Sequence, residues 1–383
     1  MSSRYTRQRE SSGSQTKGRL VAVVDPGSSV LPFDYYFCRS HISNGARVTL
    51  LASETSYNAE FLSELANQDG ADVRLWRISS TVANRVRGVL NYLRLLIFLI
   101  VNAHRFDLVY YNFPRNWVLE AALFWALGSK AVFCIHNAVP HESSARRHFG
   151  TSVLASCAHQ LLFVSHWTRR DFLSRYGSEY DEKSSIVQHG VMGIDPQDEP
   201  QAYQLYEGFL GVAFWGNIKP YKGIELFRIE PEAWLPQNVG HRYLIAGKWD
   251  AKVSHLKADY QARSEIELRD GFLCREAVKS LLAQNFVFVL PYRRASQSGI
   301  LYTLLFYGRY FLATDQGDVG EFLRANGLDE LLIADFSADE LRRAMNWLVG
   351  NLTYVQAKLS AAQGAYTWQI SAKAHPEYLT RMR

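Results

Sequence analysis

The sequence predicts an α/β protein made of two doubly wound, parallel-sheet domains in series. Short continuous runs of apolar and β-branched residues alternate with helical patterns from end to end, as in parallel strands covered on both faces. The alternation breaks once, at Gly193-Ile194-Asp195-Pro196-Gln197-Asp198-Glu199-Pro200-Gln201, where prolines, acids and little apolar content mark a linker. At 383 residues the chain is also too long for one compact core.

Leu20 to Val24 reads as the first strand and stops at the turn signal Asp25-Pro26-Gly27. Val48 to Leu51, Leu108 to Tyr111, Ala131 to Ile135 and Leu161 to Val164 repeat the pattern before the linker. Gly211 to Trp215, Tyr243 to Ala246, Phe286 to Leu290 and Tyr310 to Ala313 repeat it afterwards. The expected division is a tail over 1–19, a first domain over 20–192, a linker over 193–210 and a second domain over 211–365. A last helix over 366–383 is expected to cross back to the first domain. In such sheets the C-terminal edges of the strands form the crevice that takes ligands.

Composition narrows the function classes. With 48% hydrophobic and 21% charged residues this is an ordinary soluble globular chain. Of its net charge of +5, +4 falls within the first nineteen residues, so no basic face for nucleic acid is implied. That tail lacks the apolar residues that offset ordering entropy and is expected to be disordered; nor does it have the apolar stretch of a secretory signal. Cys38, Cys134, Cys157 and Cys274 show neither metal spacing nor pairing, which suits a reducing, cytoplasmic setting. Val89 to Val101 is strongly apolar but shorter than the roughly 20 residues of a membrane span. It reads as a buried helix, and its outer face, with Arg85, Arg87 and Arg94, suits the inner surface of the cytoplasmic membrane.

The most informative stretch is Phe214-Trp215-Gly216-Asn217-Ile218-Lys219-Pro220-Tyr221-Lys222-Gly223. A strand ends at glycine, two lysines follow three residues apart, and Ile224-Glu225-Leu226-Phe227 reads as the opening of a helix. Exposed backbone N–H groups beside two ammonium groups suit a pyrophosphate. A second such place is Pro291-Tyr292-Arg293-Arg294-Ala295-Ser296-Gln297-Ser298-Gly299-Ile300, within 38 residues (277–314) that hold no Asp or Glu. The turn after the first strand lacks the G-x-G-x-x-G of dinucleotide-binding domains, and no P-loop is present, so dehydrogenase and ATPase readings fail.

With these motifs in place, residues 20–375 resemble the GT-B glycosyltransferases, of the bacterial kind typified by family 4 (group 1). The matching positions are Gly216, Asn217, Lys219, Lys222 and Gly223 for the nucleotide diphosphate, and Leu244 to Gly247 with Lys248 for the next strand end. Asp270-Gly271-Phe272-Leu273 resembles the base-contacting segment, Ser296 to Gly299 the sugar-nucleotide loop, and Ala313-Thr314-Asp315 with Gly317 and Glu321 the strand behind it. Ile135-His136-Asn137-Ala138-Val139-Pro140-His141-Glu142 resembles the acceptor-side loop, with Val164-Ser165 and Val187 to Val191 as later strand ends. The resemblance implies two Rossmann-like domains facing a cleft and a UDP- or GDP-sugar donor. It also implies a saccharide acceptor, expected to be carried on a membrane polyprenyl diphosphate as in exopolysaccharide or surface-glycan assembly. Many relatives carry two glutamates seven residues apart in the sugar-nucleotide loop. Here they fall near Gln297 or Ser298 and near Leu304 or Leu305, so retention or inversion of the anomeric centre stays open.

The expected donor-site residues are therefore Gly216, Asn217, Lys219, Lys222, Gly223, Gly247, Phe272, Arg293, Arg294, Gln297, Ser298, Gly299 and Ile300. On the acceptor side His136, Asp34 and Glu142 are the candidate catalytic residues, with Asp25 and His141 as rivals and His189 read as structural. No Asp-x-Asp metal motif occurs, and Lys and Arg can supply the counter-charge, so no metal or cofactor is expected. Two other readings are a catalytically silent sugar-nucleotide-binding partner subunit and a GT-B-fold sugar-nucleotide epimerase.

Overall fold

A computed structural model of the chain describes residues 4–5, 18–28, 31–55, 57–78, 85–138, 145–228, 236 and 239–368. The chain divides into two compact units, residues 1–196 with 367–383, and residues 197–366.

In the first unit β1 (Arg4–Tyr5), β2 (Leu20–Asp25), α1 (Leu31–Ser43), β3 (Arg47–Ala52), α2 (Ala59–Ala66) and β4 (Ala71–Leu75) come first. Then α3 (Arg85–Val101), β5 (Leu108–Tyr111), α4 (Trp117–Leu127), β6 (Ala131–Ile135), α5 (Ala145–Cys157), β7 (Gln160–Phe163), α6 (His166–Tyr176) and β8 (Ser184–Ile186) alternate. The sheet order is β1-β4-β3-β2-β5-β6-β7-β8. All its pairs are parallel except β1 with β4. Arg4–Tyr5 thus form an edge strand within the tail expected to be disordered; the rest of residues 1–17 lies outside the described residues.

Each strand buries alternate residues on opposite faces. Ala22, Val24, Val109, Tyr111, Phe133 and Phe163 face a core shared with Leu95 and Leu99 of α3, Leu123 and Phe124 of α4, and Leu154 of α5. On the other face Phe37 and His41 of α1 pack on Tyr110.

The second unit runs through β9 (Phe209–Trp215), β10 (Val239–Gly247), α7 (Lys257–Gln261), β11 (Ile266–Asp270), α8 (Arg275–Leu282) and β12 (Phe286–Leu290). It ends with α9 (Gly299–Phe306), β13 (Phe311–Thr314), α10 (Gly317–Ala325), β14 (Leu332–Ile333), α11 (Ala338–Gly350) and α12 (Leu352–Ala365). Its sheet is wholly parallel, in the order β11-β10-β9-β12-β13-β14.

The sequence reading misses β4, β8, β11 and β14. β4 (ADVRL) and β11 (IELRD) are only partly buried, so charge interrupts the apolar run that marks a central strand. The stretch read as a linker is fastened to the second unit from Gln201 on. Gln201 N donates to Phe306 O at 2.7 Å, and Arg309 Nη1 to Tyr206 Oη at 2.8 Å.

Both sheets reverse direction beside their first long strand. The chain proceeds from β2 outward through β3 and β4, then returns to add β5 on the other side; β9 and β12 repeat this in the second unit. Helices cover both flanks, but at such a switch point the two strand ends diverge and leave a crevice.

Candidate functional site

In the second unit the crevice after β9 and β12 brings the two sequence motifs together. Gly216 follows β9 with φ 130°, and a Cβ there would stand 2.5 Å from Ile300 Cδ1. Gly223 is left-handed at φ 63°, and a Cβ there would lie 1.8 Å from Pro291 O, so the lysine turn is folded directly onto the end of β12. Arg293 N donates to Tyr221 O at 2.9 Å. Gly247 ends β10 against the Gly216 carbonyl, with no room for a Cβ.

Lys222 is half-buried, its Nζ 3.6 Å from the centre of the Tyr292 ring. Burial, then the adjacent Lys219 charge, pushes its pKa from 10.5 down to about 7. Among the described residues neither lysine has an ion pair. Two neighbouring ammonium groups drawn out of water without a carboxylate form a site that an anion would complete. Ser298 caps α9, with Oγ 3.0 Å from Tyr292 Oη, and the first amides of α9, at Gly299 and Ile300, have no carbonyl a turn behind them. Tyr292 also lines a pocket of about 360 Å³ at the ends of β12, β13 and β14, with Thr314, Gln316, Ile333 and Phe336.

Three expectations need correction. Ile224–Arg228 and Pro220–Lys222 are 3₁₀ turns, so the lysine turn does not open an α-helix and the two ammonium groups supply most of the positive field. The acid-free stretch 277–314 is not a sign of a bound anion. Lys279 pairs with Asp198 at 2.6 Å, Arg293 pairs with Glu225, and buried Arg309 donates to Tyr307 O, Tyr206 and Gln201. Its remaining cation, Arg294, is exposed, with no ion pair among the described residues. Arg293, lying over Phe336 and neutralised by Glu225, is a weaker phosphate ligand than its sequence position suggests. Of the other predicted positions, Asn217 is exposed, Gln297 is half-buried beside the cap of α9, and Phe272 is 56% exposed beyond β11.

In the first unit the crevice after β2 and β5 gathers Asp25, Asp34, Asn112 and His136. Asp25 ends β2 and accepts from the amides of Gly27 (2.9 Å) and Ser28 (2.8 Å). Asp34, in the first turn of α1, accepts from Asn112 Nδ2 at 2.6 Å, and its Oδ2, like that of Asp25, is buried with no hydrogen-bond partner among the described residues. Burial, then the Asp25 charge, raises the Asp34 pKa well above its ordinary value. Asp34 is fully buried, which corrects its reading as a base open to an acceptor hydroxyl.

His136 follows β6, stacked 4.2 Å from Phe113 and edge-on 4.6 Å from Phe33. It is 8% exposed, and its Nε2 has no hydrogen-bond partner among the described residues. Burial, then His189, pushes its pKa down to about 3, so the ring is neutral. His189 is packed by Phe33 and Trp368 and bonds Gly190 O at 2.7 Å, as a structural histidine would. Trp368 donates to Val191 O at 3.0 Å; 369–383, where the crossing helix was expected, lies outside the described residues, as do His141 and Glu142.

Sequence reasoning missed Asn112, Arg115 and Glu120, whereas Phe113, with Tyr110, Tyr111 and Trp117, reads in the sequence as an aromatic group suited to sugar-ring stacking. One signal was available: Glu120 is the only charge in the apolar run WVLEAALFWAL. Among the described residues no group of three or more His, Cys, Asp or Glu is placed to hold a metal ion.

Residues 35–192 match the family described as Glycosyltransferase Family 4, and residues 210–351 that described as Glycosyl transferases group 1. No curated protein matches significantly. Among solved structures, Anabaena HepE, in complex with UDP and glucose, is similar at TM-score 0.64 and 15% identity, covering 95% of this chain and 100% of its own. WaaG, a glycosyltransferase involved in lipopolysaccharide biosynthesis, is similar at TM-score 0.58 and 15% identity (95% and 99%). Sucrose-phosphate synthase from Thermosynechococcus elongatus is similar at TM-score 0.64 and 14% identity (95% and 99%). With both units matched in sequence and the fold shared, the chain belongs to the GT-B glycosyltransferases, a family 4 domain followed by a group 1 domain.

Proposed function

We propose that the enzyme moves a hexosyl group from a UDP- or GDP-sugar to a saccharide carried on a polyprenyl diphosphate, in exopolysaccharide or surface-glycan assembly. The observation that carries the donor side is the pair of lysines, Lys219 and Lys222, at the ends of β9 and β12, with no carboxylate partner among the described residues. Cleaving a sugar–diphosphate bond builds negative charge on the leaving phosphate. Lys222, Lys219 and the first amides of α9 are placed to receive it, which is where electrostatic help is greatest. Binding the diphosphate restores the charge that Lys222 loses by burial. HepE's UDP and glucose are in keeping with a UDP-sugar, and WaaG's role with a surface glycan. On the acceptor side His136 offers a neutral nitrogen, unpaired among the described residues, to a hydroxyl proton.

The lipid-linked acceptor is supported by the outer faces of α3, α4 and α5. These helices bury their inner faces in one core, and their sole carboxylate, Glu120, is buried. Outward stand Val86, Val89, Ile97, Val101, Trp125 (83% exposed) and Phe149, beside exposed Arg85, Arg87 and Arg94. Apolar residues interleaved with arginines and free of acids suit anionic headgroups. Among the described residues no helix is long and apolar enough to cross a membrane.

Incubation with UDP- and GDP-sugars, with and without a membrane extract, tests the reading. Transfer should require the extract. Turnover without any acceptor would instead mark an epimerase, and no turnover in either arm would refute the proposal.

A further inference from the structure

One loop, residues 112–116 between β5 and α4, meets Asp34 and His136 directly and acts on Asp25 through charge. Asn112 donates to Asp34, Phe113 stacks on His136, and the Arg115 charge acts on Asp25. The loop is fastened from below by a single buried carboxylate. Glu120 Oε1 accepts from Arg115 N (2.6 Å), Tyr92 Oη (2.5 Å) and Tyr111 Oη (3.0 Å), and Oε2 accepts from Asn116 N (3.1 Å). Two of these donors are the loop's own amides. A third, Tyr92, belongs to α3, the helix whose outer face carries the exposed arginines.

We propose that Glu120 is a positioning residue for the acceptor side of the reaction: it holds the loop 112–116 against Asp34 and His136, and through Tyr92 it ties that loop to α3. Helix capping by itself does not require this arrangement. The Asn116 side chain already accepts from Val118 N and Leu119 N, so the first amides of α4 have their partner without Glu120. The additional bonds to Arg115 N, Tyr111 and Tyr92 go to the strand, the loop and the neighbouring helix instead. A buried carboxylate with four donors has one permitted geometry, so the backbone it holds is fixed too. The link to α3 rests on the lipid-facing reading above; the hold on the loop does not.

The test uses Glu120→Gln and Tyr92→Phe in the full chain, with three readouts. Glu120→Gln turns an amide N–H₂ toward donors and should free the loop. Tyr92→Phe removes one donor, strands no buried partner and keeps the fold. If the loop is held as described, His136 loses its Phe113 cover in Glu120→Gln, and its ring titration, followed by NMR, rises from about 3 toward 6.5, near its ordinary value. Tyr92→Phe should shift it the same way by less. His189 is the one charged neighbour that acts on the ring among the described residues, and it is unchanged in both variants, so the comparison isolates the loop. UDP affinity should stay within about twofold. Turnover on extract acceptor should fall at least about tenfold in Glu120→Gln, at unchanged donor KM. A His136 titration unmoved in Tyr92→Phe and in folded Glu120→Gln would overturn the proposal, as would equal losses in UDP affinity and turnover. If wild type shows no transfer to the extract, the acceptor reading fails, while the His136 measurement still decides the role of Glu120.

Discussion

Replacing Lys222 by methionine should weaken nucleotide binding and strengthen the fold. The unfolded chain holds the Lys222 proton with a pKa near 10.5, the folded chain with about 7. The folded state therefore binds fewer protons between these values, and stability rises with pH across that window. Below about pH 7 the buried cation carries its full cost. At about 1.36 kcal/mol per unit the ceiling at pH 7 is about 4 kcal/mol. The ammonium is only half-buried and keeps some water, so about 1–2 kcal/mol of stabilisation is expected from Lys222→Met at pH 7, fading toward pH 10. Binding moves oppositely. A charge-assisted hydrogen bond to phosphate contributes about 1.5–3 kcal/mol, so UDP or GDP affinity should fall roughly 10- to 150-fold. Wild type should also take up a proton on binding above pH 7, because the diphosphate favours the charged lysine. Calorimetry in two buffers of different ionisation enthalpy gives affinity and proton count, and urea titrations at pH 7 and 10 give stability. A variant with wild-type nucleotide affinity, or one less stable at pH 7, would refute the reasoning.

Asp34→Asn should keep the bond from Asn112 while removing a buried carboxyl whose pKa burial and the Asp25 charge raise. A carboxyl whose folded pKa is raised lends stability that is full below about 3.8 and lost as pH rises, so the variant should match or exceed wild type at pH 7. A loss above about 1 kcal/mol in urea titration would contradict this. If His136 takes the acceptor proton, kcat should show no break near pH 6.5, since the ring is neutral down to about 3; a histidine-like break removed by His136→Gln would contradict that environment. Replacing Arg85, Arg87 and Arg94 by glutamine should remove about 1 kcal/mol of attraction to anionic lipid per residue, so the triple variant should no longer sediment with anionic vesicles while keeping UDP affinity. Equal sedimentation would mean that α3 is not the docking face. Transfer to the extract acceptor should survive excess EDTA, because lysines supply the counter-charge; loss restored by Mg²⁺ or Mn²⁺ would reverse this.

The sequence by itself determined the two sheets and the lysine turn. Central parallel strands must be apolar on both faces, so Leu20 to Val24 or Phe286 to Leu290 announce themselves, and glycines at positive φ with no room for a Cβ resist replacement, so Gly216, Gly223 and Gly247 mark the donor crevice. Edge strands such as β4 and β11 escaped because half-buried strands tolerate charge. What only the tertiary structure decided is who neutralises whom. Arg293 and Lys279 lie in a stretch without acids yet meet Glu225 and Asp198 from elsewhere in the chain, whereas Lys222 meets the ring of Tyr292 and, among the described residues, no carboxylate. Asp34 reads as a base in sequence, but folding buries it beside Asp25 and raises its pKa. Glu120 reads as a stray charge on an apolar helix until α3, β5 and the following loop converge on it. Periodicity is local and survives in the sequence; charge compensation is set by distances of a few ångströms between residues far apart in the chain, and only the fold sets those.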